Sequence, residues 1–252
     1  MGWQNTMTMS LAIATVTCTG ASHPRPALTH DVLHAVNGGL ILETTTGNTY
    51  ANDDLVGGVI DIGGRKLLVE SIKHEGPVVL FGVEVELPEG KREEFCNPDP
   101  DGNRLALAVE HSDGSVEMVC SSGAMGKCVR WGYAPPVDDS AKSPRRQLYE
   151  ACVRMVRADY GGDGTSWTRD GTRISFCDAL GVYPCPHELE LEAAWSDAGA
   201  VCVHNPRIEE LGSLAELEDR YPRLQEKTGT RCTLAWARSH DALLFTRMVA
   251  RN

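Results

Sequence analysis

Residues 78–87 read Val-Val-Leu-Phe-Gly-Val-Glu-Val-Glu-Leu, and this stretch indicates the class of fold. Residues 83–87 alternate strictly between apolar and acidic side chains, which is the pattern of a strand with one buried and one solvated face. Similar runs rich in valine, isoleucine and leucine surround it, separated by turn sequences such as Gly-Gly and Ser-Asp-Gly. We therefore predict strands over residues 40–45, 59–62, 66–73, 78–87, 105–110 and 116–120. Short strands at this spacing favour an antiparallel meander, sandwich or small barrel.

The second half of the sequence opens with its clearest helix, predicted over residues 145–158. Ser143 can cap this helix, and Pro144 suits its first position. Leu148 and Cys152 recur at helical spacing on one apolar stripe, so we expect Cys152 to face inward, as a bridged cysteine or a core thiol. Beyond it we predict strands near 173–177, 188–195 and 200–204, an acidic helix over 214–221 and an apolar segment over 242–249.

These elements predict a β-rich α+β protein stabilised by disulfides, with an antiparallel N-terminal half, one prominent central helix and a mixed C-terminal half. We expect a leader over residues 1–26, the β-rich half over 27–137 and the helix with the mixed half over 138–252. The proline-containing stretch 134–144 is the best candidate for a linker. At 252 residues the chain has room for one domain or two, and we expect the halves to form one compact domain.

The leader is predicted from residues 7–17, MTMSLAIATVT, an uncharged and mildly apolar stretch followed by small residues and prolines. This is typical of an export signal, although no lysine or arginine precedes Arg25 and hydroxyl residues dilute the apolar run. A plain N-terminal tail is the alternative. Cys18 is a candidate for lipid attachment, but Thr15 and Thr17 fit such a site poorly.

Charge and hydropathy restrict the partners. The net charge of −11 at pH 7 argues against non-specific binding to nucleic acid or anionic lipid. The sequence contains no apolar run of the length that a transmembrane helix requires. Association with a membrane is expected through the leader only, and other partners are unknown. We expect an extracytoplasmic protein, either secreted, periplasmic or at the cell surface.

The cysteines support export. The chain contains nine cysteines. Setting Cys18 aside with the leader leaves an even number, for which the connectivity cannot be deduced. The disulfide candidates are Cys96, Cys120, Cys128, Cys152, Cys177, Cys185, Cys202 and Cys232. Zinc is disfavoured because no close cysteine knuckle is present, while buried free thiols in a cytosolic protein remain the other alternative.

One loop suggests a metal. Residues 159–170 follow the predicted helix and place Asp159, Asp163 and Asp170 at positions 1, 5 and 12 of a calcium-loop pattern, with Gly164 at position 6. Position 3 lacks a ligand side chain and position 12 is aspartate rather than glutamate. A turn rich in aspartate and glycine for geometric reasons is the competing interpretation. No other cofactor is expected.

Catalytic patterns are weaker. Cys152 could act as a nucleophile with His187 or His204 as the base. Its position on an apolar stripe of the predicted helix argues against this role. The main hypothesis is a non-catalytic protein with a structural or binding role, and the alternative is a cell-envelope hydrolase or a thiol-dependent enzyme.

Two further groups of polar residues have ordinary explanations. His30 and His34 are spaced to share a helix face with a metal, but a surface pair is the simpler interpretation. Glu188, Glu190 and Glu192 line one face of a predicted strand, where paired carboxylates could do acid–base work. We interpret them as a solvated face.

Three motifs carry a family resemblance: AMGKCVRWGYAP at residues 124–135, ACVRMVRADYGGDG at 151–164 and DGTRI at 170–174. Together with Cys96, EAAW at 192–195 and GAVC at 199–202, they resemble the bacterial ADYC-domain family over about residues 39 to 205. Members of that family are often exported proteins or predicted lipoproteins. The resemblance therefore implies localisation and architecture but no reaction.

The chain departs from the family at the motif that names it, since Gly161 stands where the motif has cysteine. The resemblance implies that a bridge at this position is absent or rerouted, with Cys177 or Cys185 as the replacement. If the motif cysteine is a nucleophile in relatives, this chain would be an inactive version.

Overall fold

A computed structural model describes residues 16–18, 31–62, 64–136, 143–187 and 189–247. The chain divides into two compact units, Met1–Ser140 and Ala141–Asn252. Each unit is built on antiparallel sheets, and the described elements are β-rich with few helices, so the predicted disulfide-stabilised α+β class is confirmed.

The first unit consists of two antiparallel sheets. Its strands are β1 (Val16–Cys18), β2 (Val32–Val36), β3 (Gly39–Glu43), β4 (Thr49–Ala51), β5 (Gly58–Ile62), β6 (Arg65–Glu75), β7 (Val78–Glu86), β8 (Arg92–Glu94), β9 (Leu105–Glu110) and β10 (Val116–Cys120). The larger sheet has the order β1-β5-β6-β7-β9-β10, with β8 paired to β7, and the smaller has the order β2-β3-β4. A short helix, α1 (Ala124–Cys128), and a π-helical turn, Val129–Tyr133, follow β10.

The core of the first unit lies between its sheets, where the residues of β3 contact those of β7 and β9. Strand β7 alternates at its end, as predicted, but Val78–Phe81 are all buried, so this part of the strand is covered on both faces. Gly38, in the turn between β2 and β3, has a φ of +82°, and a Cβ atom there would lie 2.8 Å from the carbonyl oxygen of Val79. Only glycine tolerates both this backbone conformation and the close approach to β7.

The second unit combines one long helix with a four-stranded sheet. Its elements are α2 (Pro144–Arg157), β11 (Ser175–Asp178), β12 (Leu191–Ser196), β13 (Gly199–Val203), α3 (Leu214–Arg220), α4 (Leu234–Arg238) and β14 (Leu244–Arg247). The sheet has the order β11-β14-β12-β13, and α2 packs against β12, β13 and β14. The Ser143 hydroxyl caps α2 by accepting from the backbone N–H of Arg146, as the sequence predicts.

Short 3₁₀ helices join these elements. They are Asn52–Leu55, Pro88–Gly90, Glu209–Leu211, Pro222–Leu224 and Gly229–Arg231. No helix among the described residues is long and apolar enough to cross a membrane.

His34 lies in strand β2, so it offers no helix face for a metal. Its Nδ1 atom lies 3.5 Å from the Glu110 carboxylate, which also accepts the backbone N–H of Ala35. The helical arrangement, which the sequence already disfavoured, is therefore wrong for His34. His30 lies outside the described residues.

Candidate functional site

The end of helix α2 forms a tight corner, which we define as residues 158–164 and call the motif corner. Ala158 adopts the left-handed conformation with φ +49°, and the backbone N–H of Asp159 donates to the Arg154 carbonyl over 2.9 Å. This left-handed cap ends the helix and turns the following side chains back toward it. The corner carries the family motif and two of the three predicted calcium ligands, Asp159 and Asp163.

The carboxylate of Asp159 is buried and serves the corner itself. Its Oδ2 atom accepts from Nη1 of Arg154 over 2.6 Å and from the backbone N–H of Gly164 over 2.9 Å. The first contact is a charge-assisted bond within the helix end, and the second closes the loop. Asp159 therefore fixes the geometry of the corner.

Tyr160 is also fully buried. Its hydroxyl oxygen accepts the backbone N–H of Arg207 over 2.8 Å, and its ring stacks on Trp195 with centroids 5.2 Å apart. Burial raises the pKa of the Tyr160 phenol, and the negative charge of Glu192 raises it further. The phenol thus stays protonated at physiological pH and is not poised to act as a base.

A buried ion pair lies beside Tyr160. Arg207 Nε donates to Glu192 Oε1 over 3.0 Å, and the two side chains are only 3% and 7% exposed. Nη1 of the same guanidinium donates to the Val156 carbonyl of α2 over 3.1 Å, and its carbon lies 5.9 Å from the centre of the Trp195 ring. Burial raises the pKa of the Glu192 carboxyl, while the charge and hydrogen bond of Arg207 oppose that rise. The pair links β12, the end of α2 and the chain after β13.

The interpretation of the glutamate row as a solvated face is wrong for Glu192. Strand β12 runs between β14 and β13, and its first five residues are all buried, so no face of it is open to water at residue 192. Glu190, which precedes the strand, is exposed as expected. Glu188 lies outside the described residues.

Gly161 leaves room for an aromatic ring. A Cβ atom at this position would lie 2.2 Å from Cε1 of Tyr221, so any side chain would displace the ring. The Tyr221 hydroxyl accepts from Trp167 Nε1 over 3.3 Å and donates to Asp163 Oδ2 over 3.2 Å. The space that a cysteine side chain at position 161 would need is thus occupied by the Tyr221 ring.

The cysteines proposed as replacements bond each other. Cys177 and Cys185 form a bridge with an S–S distance of 2.01 Å, and neither bonds a residue near Gly161. They add a disulfide elsewhere in the second unit and do not restore one at the motif corner.

The predicted calcium ligands are not gathered into one group. Asp159 is neutralised by Arg154, although its Oδ1 atom is buried and lacks a hydrogen-bond partner among the described residues. Asp163 accepts the backbone N–H of Thr165 over 2.9 Å, and Asp170 is exposed. Within the described part of the chain, no cluster of three or more histidine, cysteine or acidic residues could hold a metal ion. Calcium binding stays a hypothesis that none of these contacts supports.

All eight cysteines predicted to be bridged are disulfide-bonded. Bridges join Cys96 to Cys120, Cys177 to Cys185 and Cys202 to Cys232, while Cys128 and Cys152 are likewise oxidised. Such a set is typical of proteins that fold in an oxidising compartment outside the cytoplasm.

The thiol-nucleophile hypothesis fails on this oxidation state. Cys152 is fully buried as well as disulfide-bonded, so it offers no thiolate to a histidine. His187 is exposed, and Nδ1 of His204 lies 3.3 Å from the Cys232 carbonyl oxygen. The proposed arrangement of cysteine and base is therefore absent at these residues.

A second loop, which the sequence argument missed, is built quite differently. We define the disulfide loop as residues 177–185. The Asp178 carboxylate accepts three backbone N–H groups inside it, from Leu180 over 2.8 Å, Val182 over 3.1 Å and Tyr183 over 2.6 Å. A cysteine followed directly by aspartate, with glycine three residues later and a second cysteine at the far end, was the available signal.

The disulfide loop presents apolar side chains to solvent. Leu180 is 54% exposed and Val182 is 51% exposed, while the ring of Tyr183 packs on Phe176 with centroids 5.0 Å apart. A bridge at the base and a carboxylate at the centre hold this tip in place. The loop thus turns two large apolar side chains, Leu180 and Val182, toward solvent.

The fold and these sites together define a β-rich, disulfide-stabilised α+β protein in which Ala158, Asp159 and Tyr160 of the motif are buried. A family model for the ADYC domain matches residues 50–209. Since this match covers more than half of the 252 residues, the chain belongs to the ADYC-domain family, and the resemblance seen in the sequence is confirmed. No curated protein matches the chain, and no solved structure matches it.

Proposed function

We propose that this protein is a non-catalytic, extracytoplasmic bacterial protein with a structural or binding role. The observation that carries the proposal is the commitment of the motif corner to its own interior. Asp159 binds Arg154 and a backbone amide, the Tyr160 hydroxyl binds a backbone amide, and both side chains are buried. A catalytic site needs a nucleophile and a base that meet in a space open to substrate. The polar groups of Asp159 and Tyr160 are instead buried and hydrogen-bonded within the protein.

The oxidation state of the cysteines supports the compartment. Each bridge that closes a loop restricts the unfolded chain, so the oxidised form is favoured where no cellular reductant acts on it. The leader over residues 1–26 would supply the export signal. In the alternative in which Cys18 carries a lipid, cleavage would fall before Cys18 and residues 18–26 would stay on the protein. Strand β1 (Val16–Cys18) pairs with β5 at the end of the larger sheet, so removal of the whole leader would expose the edge of β5 and break no other pair among the described strands.

Mass mapping of cysteines trapped in living cells tests the compartment. Cells that make the protein are quenched with acid and an alkylating agent, and peptides are compared with and without reduction. We expect Cys96–Cys120, Cys177–Cys185 and Cys202–Cys232 as bridged peptides. Alkylated, unbridged cysteines in the trapped protein would overturn the extracytoplasmic proposal.

Export by the leader is tested separately. Residues 1–26 are fused to an alkaline phosphatase that lacks its own signal and is active only when oxidised. Activity in intact cells is expected, and a fusion of residues 31–62 serves as the control. Activity equal to that of the control would remove the leader from the proposal and leave the fold-based part standing.

A further inference from the structure

We propose that the disulfide loop is a preformed recognition element that inserts Leu180 and Val182 into an apolar pocket of a protein partner. This inference rests on the proposed binding role and names the surface that performs it. The contacts that hold the loop, its lack of charge and its small size carry the inference.

The loop is held in one conformation before any partner arrives. The bridge closes nine residues, and the three amides on Asp178 fix the backbone between the cysteines. The backbone N–H of Asp178 donates to the Tyr183 carbonyl over 2.9 Å, and that of Ala179 donates to Leu243 over 2.9 Å. A loop fixed in this way loses little conformational entropy on binding, so its contacts count more fully toward affinity.

A purely structural role explains only part of the loop. Strand β11 is at the edge of its sheet, and the bond between Asp178 and Tyr183 folds the loop back beside the end of that strand. Covering an edge in this way hinders unwanted strand pairing. It requires the backbone of the loop and the Tyr183 ring on Phe176, but it does not require aliphatic side chains at Leu180 and Val182 that face water.

The charge of the tip selects the kind of partner. Residues 179–186 carry no ionisable acid or base apart from Tyr183 and the bridged Cys185, in a chain whose net charge is −11. Nucleic acids and anionic bilayers attract basic loops and repel an acidic protein. An uncharged tip instead suits a pocket lined by apolar side chains, where a charge would be costly to bury.

The size of the tip favours a different protein over a second copy. A two-fold contact sets the same patch against itself, which here is a loop of nine residues. A stable interface buries about 800 Å² on each partner, which a few side chains meeting tip to tip do not supply. A pocket that surrounds the loop reaches more of its surface.

Site-specific photocrosslinking in the cells that make the full-length protein tests this inference. A benzophenone amino acid replaces Val182, and the control replaces Val56, a valine of the first unit that is 47% exposed. We expect a discrete protein adduct from position 182 and none from position 56. The adduct is to be lost in Leu180→Asp and in the double variant Cys177→Ser with Cys185→Ser, and retained in Val56→Asp.

The crosslinked partner is then identified and purified, and its affinity is measured by calorimetry. Leu180→Asp is expected to weaken binding by about tenfold or more, because a carboxylate would have to leave water for an apolar pocket. Its melting temperature should match that of the parent, since Leu180 is more than half exposed. A full-strength interaction in Leu180→Asp overturns the inference.

Other outcomes also decide against it. Equal adducts at both positions, or none at either, mean that the tip has no partner. An adduct of twice the protein mass points to a second copy, and flotation with phosphatidylcholine vesicles that Leu180→Asp abolishes points to a membrane. If the cysteines are bridged in cells and the phosphatase fusion is exported, such a failure concerns this loop alone and leaves the proposed function intact.

Discussion

The motif corner and the disulfide loop are both held by a buried aspartate, but their neighbouring side chains point in opposite directions. Each has a buried aspartate where a secondary-structure element ends, Asp159 just after α2 and Asp178 as the last residue of β11. The Asp159 carboxylate accepts one backbone amide of the loop that follows, and the Asp178 carboxylate accepts three. In the corner the next side chain, Tyr160, turns into the core. In the disulfide loop the side chains of Leu180 and Val182 turn outward.

This difference separates a loop that serves packing from a loop that we propose for recognition. A buried aspartate that accepts backbone amides makes a loop rigid in either case, because an unpaired buried amide is costly. The two loops differ in the direction of their side chains, since Tyr160 is buried while Leu180 and Val182 are exposed. A family motif can therefore be specific and yet structural, while the surface that we propose for recognition lies outside the motif.

The largest effect is expected from breaking the buried ion pair between Arg207 and Glu192, which lies beside the motif corner. Arg207→Met leaves the Glu192 carboxylate buried without its partner, and we expect the free energy of unfolding to fall by about 3–5 kcal/mol in urea denaturation at pH 7. The matched control, Arg207→Met with Glu192→Leu, removes both charges and should recover most of the loss. A drop of less than about 1 kcal/mol in the single variant would show that the pair does not organise the corner.

The same variant carries a signature in its pH dependence. Burial already raises the pKa of Glu192 above its ordinary value, and loss of the opposing Arg207 charge raises it further. A carboxyl whose folded-state pKa is raised contributes stability at low pH that is lost as the pH rises through that pKa. The difference between Arg207→Met and the parent should therefore shrink as the pH falls from 7 toward about 4.3.

A smaller loss is expected from filling the space beside Gly161. Gly161→Ala places a Cβ atom where the Tyr221 ring lies, and overpacking of this kind costs about 2–3 kcal/mol. In a double-mutant cycle with Tyr221→Ala, the two changes should cost less together than the sum of their separate effects. Simple additivity would mean that the ring is not what excludes a side chain at 161.

Much of the fold was predictable because its local signals agree. The predicted strands over 105–110 and 116–120 coincide with β9 and β10, and the predicted helix differs from α2 by one residue at each end. Each has a regular hydrophobic period and a clear turn or cap. The strands and α-helices missed were β1, β2, β4, β8, α1 and α4, which have five residues or fewer. Pairing with neighbours, rather than their own sequence, makes such short segments regular.

The sites were less predictable for a related reason. Periodicity placed Cys152 inside, and it is buried. The fate of Glu192 depends on Arg207, fifteen residues later, and on the strands that flank β12. The bridge partners and the outward direction of Leu180 are equally non-local. A single sequence shows which residues can bond but not which of them the fold brings together.

The disulfide loop should respond mildly to loss of its central acceptor. Asp178→Asn keeps the size of the side chain but replaces one acceptor oxygen with a donor, next to amides that need acceptors. We expect a loss of about 1–2 kcal/mol in unfolding free energy. Hydrogen exchange by mass spectrometry should show faster exchange of the Leu180, Val182 and Tyr183 amides, with the amides of α2 unchanged. Protection that is unaltered at those three positions would contradict the role assigned to Asp178.

The smallest effect is expected at the exposed rim of the motif corner. Partial burial raises the pKa of the Asp163 carboxyl, but hydrogen bonds from Thr165 and Tyr221 and the charge of Arg220 outweigh it, so the pKa lies below its ordinary value. Since Asp163 and Arg220 are half exposed, Asp163→Asn should cost less than about 1 kcal/mol at neutral pH.

The pKa shift behind this last effect has the opposite sign to that of Glu192, although both stability gaps close as the pH falls. A carboxyl with a lowered folded-state pKa contributes stability above its unfolded pKa, and loses it as the pH falls through the folded value. The gap between Asp163→Asn and the parent should thus be constant from pH 7 to about 5 and close below about 3.9. Urea titrations of both variants at a series of pH values would show the two gaps. A difference in stability between Asp163→Asn and the parent that widened in acid would contradict the lowered pKa. The contacts of Asp163 with Thr165, Tyr221 and Arg220 would then not stabilise its charged form.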